Sequence, residues 1–516
     1  MKTVLFPFIC CLLHVCLGAQ PGTLDSSFAG NGITLNENSS LYCVAIQKSG
    51  KIIVGGAASS DGFLGSGLLR YNIDGSIDSS FGKNGYAILN YDVANQGPFS
   101  SIDILPDNKI IATSAGSNIF TAKFTAEGKP DSSFGTNGYV LNHFAFVESI
   151  SDIVVQDDGK ILVGGAITTS FTDPFYGIMV CYTPEGKLDL AFGDSGKVVL
   201  TQSTGLSSIA IQKDGKIITG GTADVGESEF YVGRLNTDGS YDKSFGDRGY
   251  VYTRFFKNKR DGLASIALQP DGKLLAAGYC NSFGLNQDIG IARYSGNGNL
   301  DNSFGVDGLT NIHVYNSSEA STVLLQKDGK IILSGRTFDD IAFRSDAVLV
   351  RLSSDGFIDS SFASNGIAVT DFSNGGYDSE YGAVLQADGK VVTTGKSDFR
   401  TGINFGNIAR YNNDETKKQI IIKKIKHYTA THNNAQATSL NNVSIYPNPA
   451  QNVLHVVGLS STKTKLTVVD IAGNIKLQAV ANTSSYNLNI ASFNAGSYLL
   501  KIEMNGVVVM KKFVKG

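Results

Sequence analysis

Tryptophan is absent from this chain of 516 residues, and proline is held to 10. Neither charge dominates: 43 basic residues meet 46 acidic ones, a net charge of −3, which excludes the electrostatic footprint of a nucleic-acid-binding protein. No segment reaches the ~20 consecutive apolar residues of a membrane-spanning helix. Cysteine is scarce: Cys10, Cys11 and Cys16 fall in the first twenty residues, leaving Cys43, Cys181 and Cys280. Three is an odd number and each occupies a different place in its repeat, so buried free thiols are expected rather than a disulfide framework. The catalytic signatures are missing too, with no HExxH, no Walker loop and no paired-cysteine metal motif. His143 and His313 are the only histidines between residues 20 and 414.

Glycine is what abounds, at 59 residues, and its positions recur. A Gly-x-x-Asp-x-x-Phe turn appears at Gly22–Phe28, Gly75–Phe81, Gly128–Phe134, Gly186–Phe192, Gly239–Phe245, Gly298–Phe304 and Gly356–Phe362. Between these turns runs a DGKII-type hairpin whose lysines are Lys51, Lys109, Lys160, Lys216, Lys273, Lys330 and Lys390. A period of about 55 residues built from short alternating apolar runs marks a β repeat architecture. The unit from Gly85 to Phe134 reads as four short strands, which is the pattern of a propeller blade. The expected fold is therefore all-β: a seven-bladed β-propeller of four-stranded blades over residues 20–414, then a linker at 415–442 and a small immunoglobulin-like sandwich over 443–516.

The phase of the repeat also predicts closure. The chain begins with a turn motif (Leu24 to Phe28) that no fourth strand precedes, and its last unit ends in a strand, Asn407–Tyr411, that no turn motif follows. The N-terminal segment should dock on the last blade and leave few open sheet edges. Residues 1–19 read as a secretory signal: Lys2 supplies the charge, Val4 to Leu17 the apolar run, and Gly18-Ala19 the small-residue cleavage region. Val15 before Cys16 is a poor fit for a lipoprotein cleavage box.

Within the turn, the Asp carboxylate can accept backbone N–H groups and the Phe can wedge between blades. The rival reading of Asn72-x-Asp74-Gly75-x-x-Asp78 and Asn236-x-Asp238-Gly239-x-x-Asp242 is calcium binding, but Thr125-x-Glu127 breaks the ligand pattern. No metal ligand set or cofactor is assigned. Gly193-Asp194-Ser195-Gly196 mimics a protease nucleophile segment but falls where every repeat has a Phe-Gly-x-x-Gly turn.

Segments such as LQPDGKLLAAG (268–278) and RYNIDGSIDSSFGKNG (70–85) resemble the bacterial delta-60 repeat, in register over residues 21 to about 414. That resemblance implies a propeller of exported bacterial proteins without a general activity. The tail is similar to the type A C-terminal sorting domain of the type IX secretion system. It matches through Tyr446 with Pro447, Asn448 and Pro449, the Asp470…Gly473 turn, Ala495 to Tyr498 with Gly496, and the closing Lys511 and Lys512. The resemblance implies a secreted or cell-surface protein whose partners are the translocon and a sortase, with joining to surface lipopolysaccharide as one fate of the cargo.

Function then rests on what the repeat does not explain. Five residues beyond the glycine that opens each strand read as inner stand Glu37, Asn90, His143, Thr201, Arg254, His313 and Asp371, all polar. If those strands line the axis, this set rings one mouth of the channel, where it would bind a ligand or support acid–base chemistry. The bland account is that strand ends at a wet channel are polar anyway. Loops on the same face vary from unit to unit and gather Phe171, Asp173, Phe175, Tyr176, Glu227, Glu229, Phe230, Tyr231, Asp339 and Asp340. Aromatics beside carboxylates suit glycan or peptide recognition, and loops on a rigid frame commonly carry function. The reading is a non-enzymatic binding or scaffold protein; the alternatives are an enzyme acting on an extracellular polymer and a passive surface structure.

Overall fold

A computed structural model describes residues 20–413 and 444–515, apart from short segments at 61–62, 90–96, 116–117, 145–146, 169, 171, 258, 282–285, 340–343, 400–403, 447–449, 458, 460–462, 471–474 and 505–506. The signal, the linker, Asn90, Phe171, Asp340, Pro447, Asn448, Pro449 and Gly473 lie outside the described residues. Among the described residues there are strands and no helix. The chain divides into two compact units, one spanning Met1–Asp355 and Ser361–Gln419, the other Gly356–Ser360 and Ile420–Gly516.

In the first unit the strands form consecutive four-stranded antiparallel sheets, each ordered as in the chain. The first sheet runs Ser40–Ile46, Ile52–Ser60, Phe63–Tyr71 and Tyr86–Ile88. The last sheet takes its fourth strand from the opposite end of the chain: Ile33–Glu37 pairs antiparallel with Asn404–Tyr411, Ile33 facing Ala409. The closure expected from the repeat phase is therefore present. One parallel bridge, Ser345 to Tyr377, joins this sheet to the one before it.

The opening strands of the sheets form a closed ring. Ser40–Ile46, Ser101–Ile104, Val147–Val155, Gly205–Ile211, Asp261–Leu268, Ser317–Leu325 and Tyr377–Leu385 touch one another in that order, and the last returns to the first. Apolar clusters fill the wedges between adjacent sheets; one joins Ile53 and Leu68 to Phe99, Ile110 and Phe120. Because both faces of a sheet are covered in this way, its middle strands are almost wholly buried, as in Ile119–Phe124.

Glycine has a specific task here. Most inner strands carry a bulge, for example between Leu206 and Ser208. Facing it stands the second glycine of the DGKIIxGG run: a Cβ on Gly56, Gly165, Gly221, Gly278, Gly335 or Gly395 would lie 1.9–2.1 Å from a carbonyl oxygen of the bulged strand. The second sheet has Ser114 at this position, one residue beyond the last pair of Ser101–Ile104 with Ile110–Ala115, Ser101 with Thr113.

The second unit has two sheets. One contains Ser444–Tyr446, Val453–Val457 and Ser485–Asn489; the other is ordered Ile475–Ala481, Thr464–Asp470, Gly496–Met504, Val507–Lys515. Leu454, Val456 and Leu488 from the first meet Leu466, Val468, Leu500, Ile502 and Phe513 from the second in one core. Cys43, Cys181 and Cys280 are buried free thiols, as expected.

Candidate functional site

The repeated turns build a clamp. In the fifth turn Asp242 Oδ1 accepts the backbone N–H and the hydroxyl of Ser244, at 3.0 and 2.7 Å. Its Oδ2 accepts Lys216 Nζ and Arg234 Nε, both at 2.8 Å. Arg234 also donates from Nη1 to the Gly296 carbonyl of the next unit at 2.6 Å, with its guanidinium 4.8 Å above the Phe245 ring. Phe245 is buried and packs on Gly298, where a Cβ would stand 3.0 Å from a ring carbon. The hydrogen bond from Lys216 outweighs the penalty of burial and, with Ser244 and Arg234, holds the Asp242 carboxyl well below the ordinary range.

The assembly recurs as Lys51–Asp78–Arg70–Phe81, Lys273–Asp301–Arg293–Phe304 and Lys390–Asp25–Arg410–Phe28. In the third and fourth turns Lys123 and Cys181 replace the arginine. At Asp78 both oxygens are taken by Ser80, Lys51 and Arg70, so the structural reading of these turns prevails over the calcium reading. The arginine was legible as the R-Y-N-x-D-G of residues 70–75, but its link to the Asp and the Phe needed the fold.

The proposed channel-mouth ring requires correction. Glu37, His143, Thr201, Arg254, His313 and Asp371 end or follow the last strand of their sheets, at the edge opposite the inner ring. Those strands do not line the axis, so the residues are spread around the outer rim and do not converge. The inner strands are instead joined to one another by their own side chains. Ser101 Oγ donates to Asp152 Oδ1 at 3.1 Å, Ile209 N to Asp152 Oδ2 at 2.7 Å, Ile266 N to Ser208 Oγ at 3.3 Å and Val323 N to Ser265 Oγ at 3.2 Å. These bonds stitch neighbouring sheets together around the axis. Asp152 keeps some accessible surface, but enclosure by the surrounding strands pushes its carboxyl up to about 6.

Two of the rim residues instead meet the start of the third strand in their own sheet. Arg254 pairs with Glu229, and the neighbouring Phe255 N–H donates to Asp261 Oδ2 at 2.8 Å. His313 Nδ1 stands 2.7 Å from Asp288 Oδ1, whose other oxygen accepts Asn311 Nδ2 at 3.0 Å. Asp371 accepts the N–H groups of Ser373 and Gly375. Glu37 and His143 are exposed. Burial pushes the Asp261 and Asp378 carboxyls up to about 6. Glu380 is buried too, and desolvation holds its carboxyl well above the ordinary range.

The aromatic set divides. Phe175 is 45 % exposed and Tyr176 half-buried. Phe230 and Tyr231 are buried completely, which overturns their assignment to the recognition surface. Both lie in a middle strand: Phe230 packs edge-on to Phe255 at 5.2 Å, and the Tyr231 hydroxyl is 3.1 Å from that of Tyr241. In the tail, Tyr498 packs on Phe513 at 5.6 Å, its hydroxyl donating to the Asn494 carbonyl. Gly496 opens one strand of the core, and Lys511 and Lys512 lie in its partner strand, Val507–Lys515.

A ring of four-stranded sheets closed by the N-terminal strand defines a β-propeller, here with a separate β domain after it. Residues 47–81, 156–192, 212–245, 269–304, 326–362 and 386–416 match the family described as "Domain of unknown function (DUF5122) beta-propeller". Residues 444–516 match the "Secretion system C-terminal sorting domain". The chain therefore carries a β-propeller domain of the DUF5122 family and a type IX secretion-system sorting domain, and its destination is the cell surface or the medium. No curated protein sequence matches it significantly. Among solved structures it is similar to PorZ, an essential bacterial surface component of the type IX secretion system of Porphyromonas gingivalis, with 11% identity and a TM-score of 0.36, over 92% of this chain. The chain spans 59% of the length of PorZ. It is also similar to a protein of unknown function from Bacteroides caccae, with 13% identity and a TM-score of 0.31, over 54% of this chain and 88% of that one. Among the described residues no helix is long and apolar enough to cross a membrane.

Proposed function

We propose that the first unit is a seven-bladed propeller, the second an immunoglobulin-like sandwich, and the whole a binding or scaffold protein of the cell surface or medium. Its ligand is an extracellular glycan or protein. The carrying observation is the division of the propeller into a face of repeated clamps and a face of unlike loops, the latter bearing the exposed Phe175 beside Tyr176. A rigid frame with one variable face is a common platform for recognition. Export engages the translocon and a sortase, with surface lipopolysaccharide as the anchor of the displayed form. A polymer-acting enzyme at the channel mouth lacks support, because its acid, imidazole and guanidinium groups stand on separate outer strands.

The test is a panel of extracellular polysaccharides, glycans and surface proteins presented to the full chain. Binding to one of them that weakens on Phe175→Ala or Tyr176→Ala supports the reading. Binding to none of them, with no partner recovered from the native surface, leaves the passive structural role.

A further inference from the structure

One rim position breaks the charge balance that the equivalent Glu229–Arg254 pair keeps. Glu229 and Arg254 stand opposite each other, one step beyond the partnered pair Phe230 and Thr253; Asp346 and Asp371 do the same beyond Ala347 and Thr370. Each pair is approached by the acid at the head of the next inner strand. Asp261 Oδ2 accepts Phe255 N at 2.8 Å, and Asp378 Oδ2 accepts Phe372 N at 2.7 Å. The positions are thus equivalent. In the first trio the middle residue is a cation, Arg254, between two acids. In the second it is a third acid, and ligand oxygens of Asp346, Asp371 and Asp378 all lie within 4.8 Å of one another.

Two of these carboxylates are deeply buried, Asp346 at 5 % exposure and Asp378 at 0 %. Oδ1 of each has no hydrogen-bond partner. A buried carboxylate oxygen without a donor is costly, and crowding of like charges adds to the cost. The nearby cation does not resolve it: Arg344 Nε stands 3.8 Å from Asp346 Oδ2 and has no hydrogen-bond partner of its own. Asp371 is exposed, so one side of the trio opens to water.

We propose that Asp346, Asp371 and Asp378 bind a hard divalent cation, calcium being the fitting member. All-oxygen carboxylate donors suit such ions, and Ca²⁺ accepts a flexible shell of about 6–8 oxygens that water completes from the open side. The ion takes the place that Arg254 fills in the equivalent trio. It also tethers two neighbouring sheets, since Asp346 belongs to one and Asp378 to the next, beside the Ser345–Tyr377 bridge.

The full chain, stripped with a chelator, is titrated with Ca²⁺ and in parallel with Mg²⁺, reading heat of binding and thermal midpoint. One ion per chain is expected, with a midpoint that rises on saturation. Asp371→Asn should weaken binding roughly tenfold or more. Asp371→Arg, copying the Arg254 arrangement, should abolish the response while bringing the metal-free midpoint to that of the calcium-loaded native chain. A response to either ion that Asp371→Asn weakens and Asp371→Arg loses upholds the site, and the tighter ion names it. No heat and no shift in the native chain, or a response that Asp371→Arg retains, overturns it.

Discussion

The two faces of the propeller are made by opposite ends of the same strands, yet only one repeats its chemistry. On the clamp face, Asp25, Asp78, Asp131, Asp189, Asp242 and Asp301 each meet the lysine of a DGK-type hairpin, and the phenylalanine three residues on is buried. On the other face, equivalent third-strand positions hold Gly65, Tyr176, Glu229, Asp288, Asp346 and Phe405. A contact that each unit must make with the next admits few solutions, so it recurs. A surface that meets solvent or a ligand has no such constraint. Repetition within one chain therefore separates the parts that hold the ring from the parts free to recognise something.

That contrast can be broken or sharpened by substitution. Phe304→Ala removes a buried ring from the clamp and should cost about 3–5 kcal/mol, read by chemical denaturation. Arg234→Ala leaves Asp242 with Lys216 but drops the bond to Gly296 and the cover over Phe245. A loss of roughly 2–3 kcal/mol is expected, below that of a fully orphaned ion pair because the lysine remains. Gly221→Ala sets a Cβ against the Gly205 carbonyl oxygen and should cost about 1–3 kcal/mol, whereas Ser114→Gly, at the equivalent position of the second sheet, should stay within about 1 kcal/mol.

Acidity separates the two kinds of carboxyl. Asp152, Asp261 and Asp378 are raised to about 6 in the folded chain, so their contribution is fully present below the unfolded value near 3.8 and is lost as pH rises through 6. The clamp aspartates are lowered, so theirs is present above that value and is lost on further acidification. In metal-free buffer the thermal midpoint should peak near pH 5 and fall toward pH 7.5, by an amount on the order of 1 kcal/mol per raised group. The smallest effect belongs to Phe175→Ala, which should change stability by no more than about 0.5 kcal/mol while weakening ligand binding.

Much of this was legible in the sequence. The Asp and Phe of the turns, the lysines of the hairpins and the docking of the N-terminal strand all follow from the repeat and its phase. Radial order did not. Ile33–Glu37 is short and half polar, while the inner strands carry hydroxyls and acids of their own, so neither type advertises which one faces the axis. Phe230 and Tyr231 looked like surface aromatics because their strand begins Ser228-Glu229, but a middle strand is covered on both faces. The acid trio was hidden for another reason. Asp371 is seven residues from Asp378 and 25 from Asp346, and only the pairing of strands brings the three together.

Hydrogen exchange of the full chain tests the division of faces most directly. The amides of Gly82, Gly135, Gly193, Gly246 and Gly305 donate to carbonyls of the following unit, at Glu127, Glu185, Asp238, Asn297 and Asp355, each at 2.8 Å. If the clamps hold the ring, these amides exchange together and only by global opening, while the loop amides of Gly226 and Glu227 on the opposite face exchange far sooner. Clamp amides that exchange as early as those loops, or one unit at a time, would contradict the account.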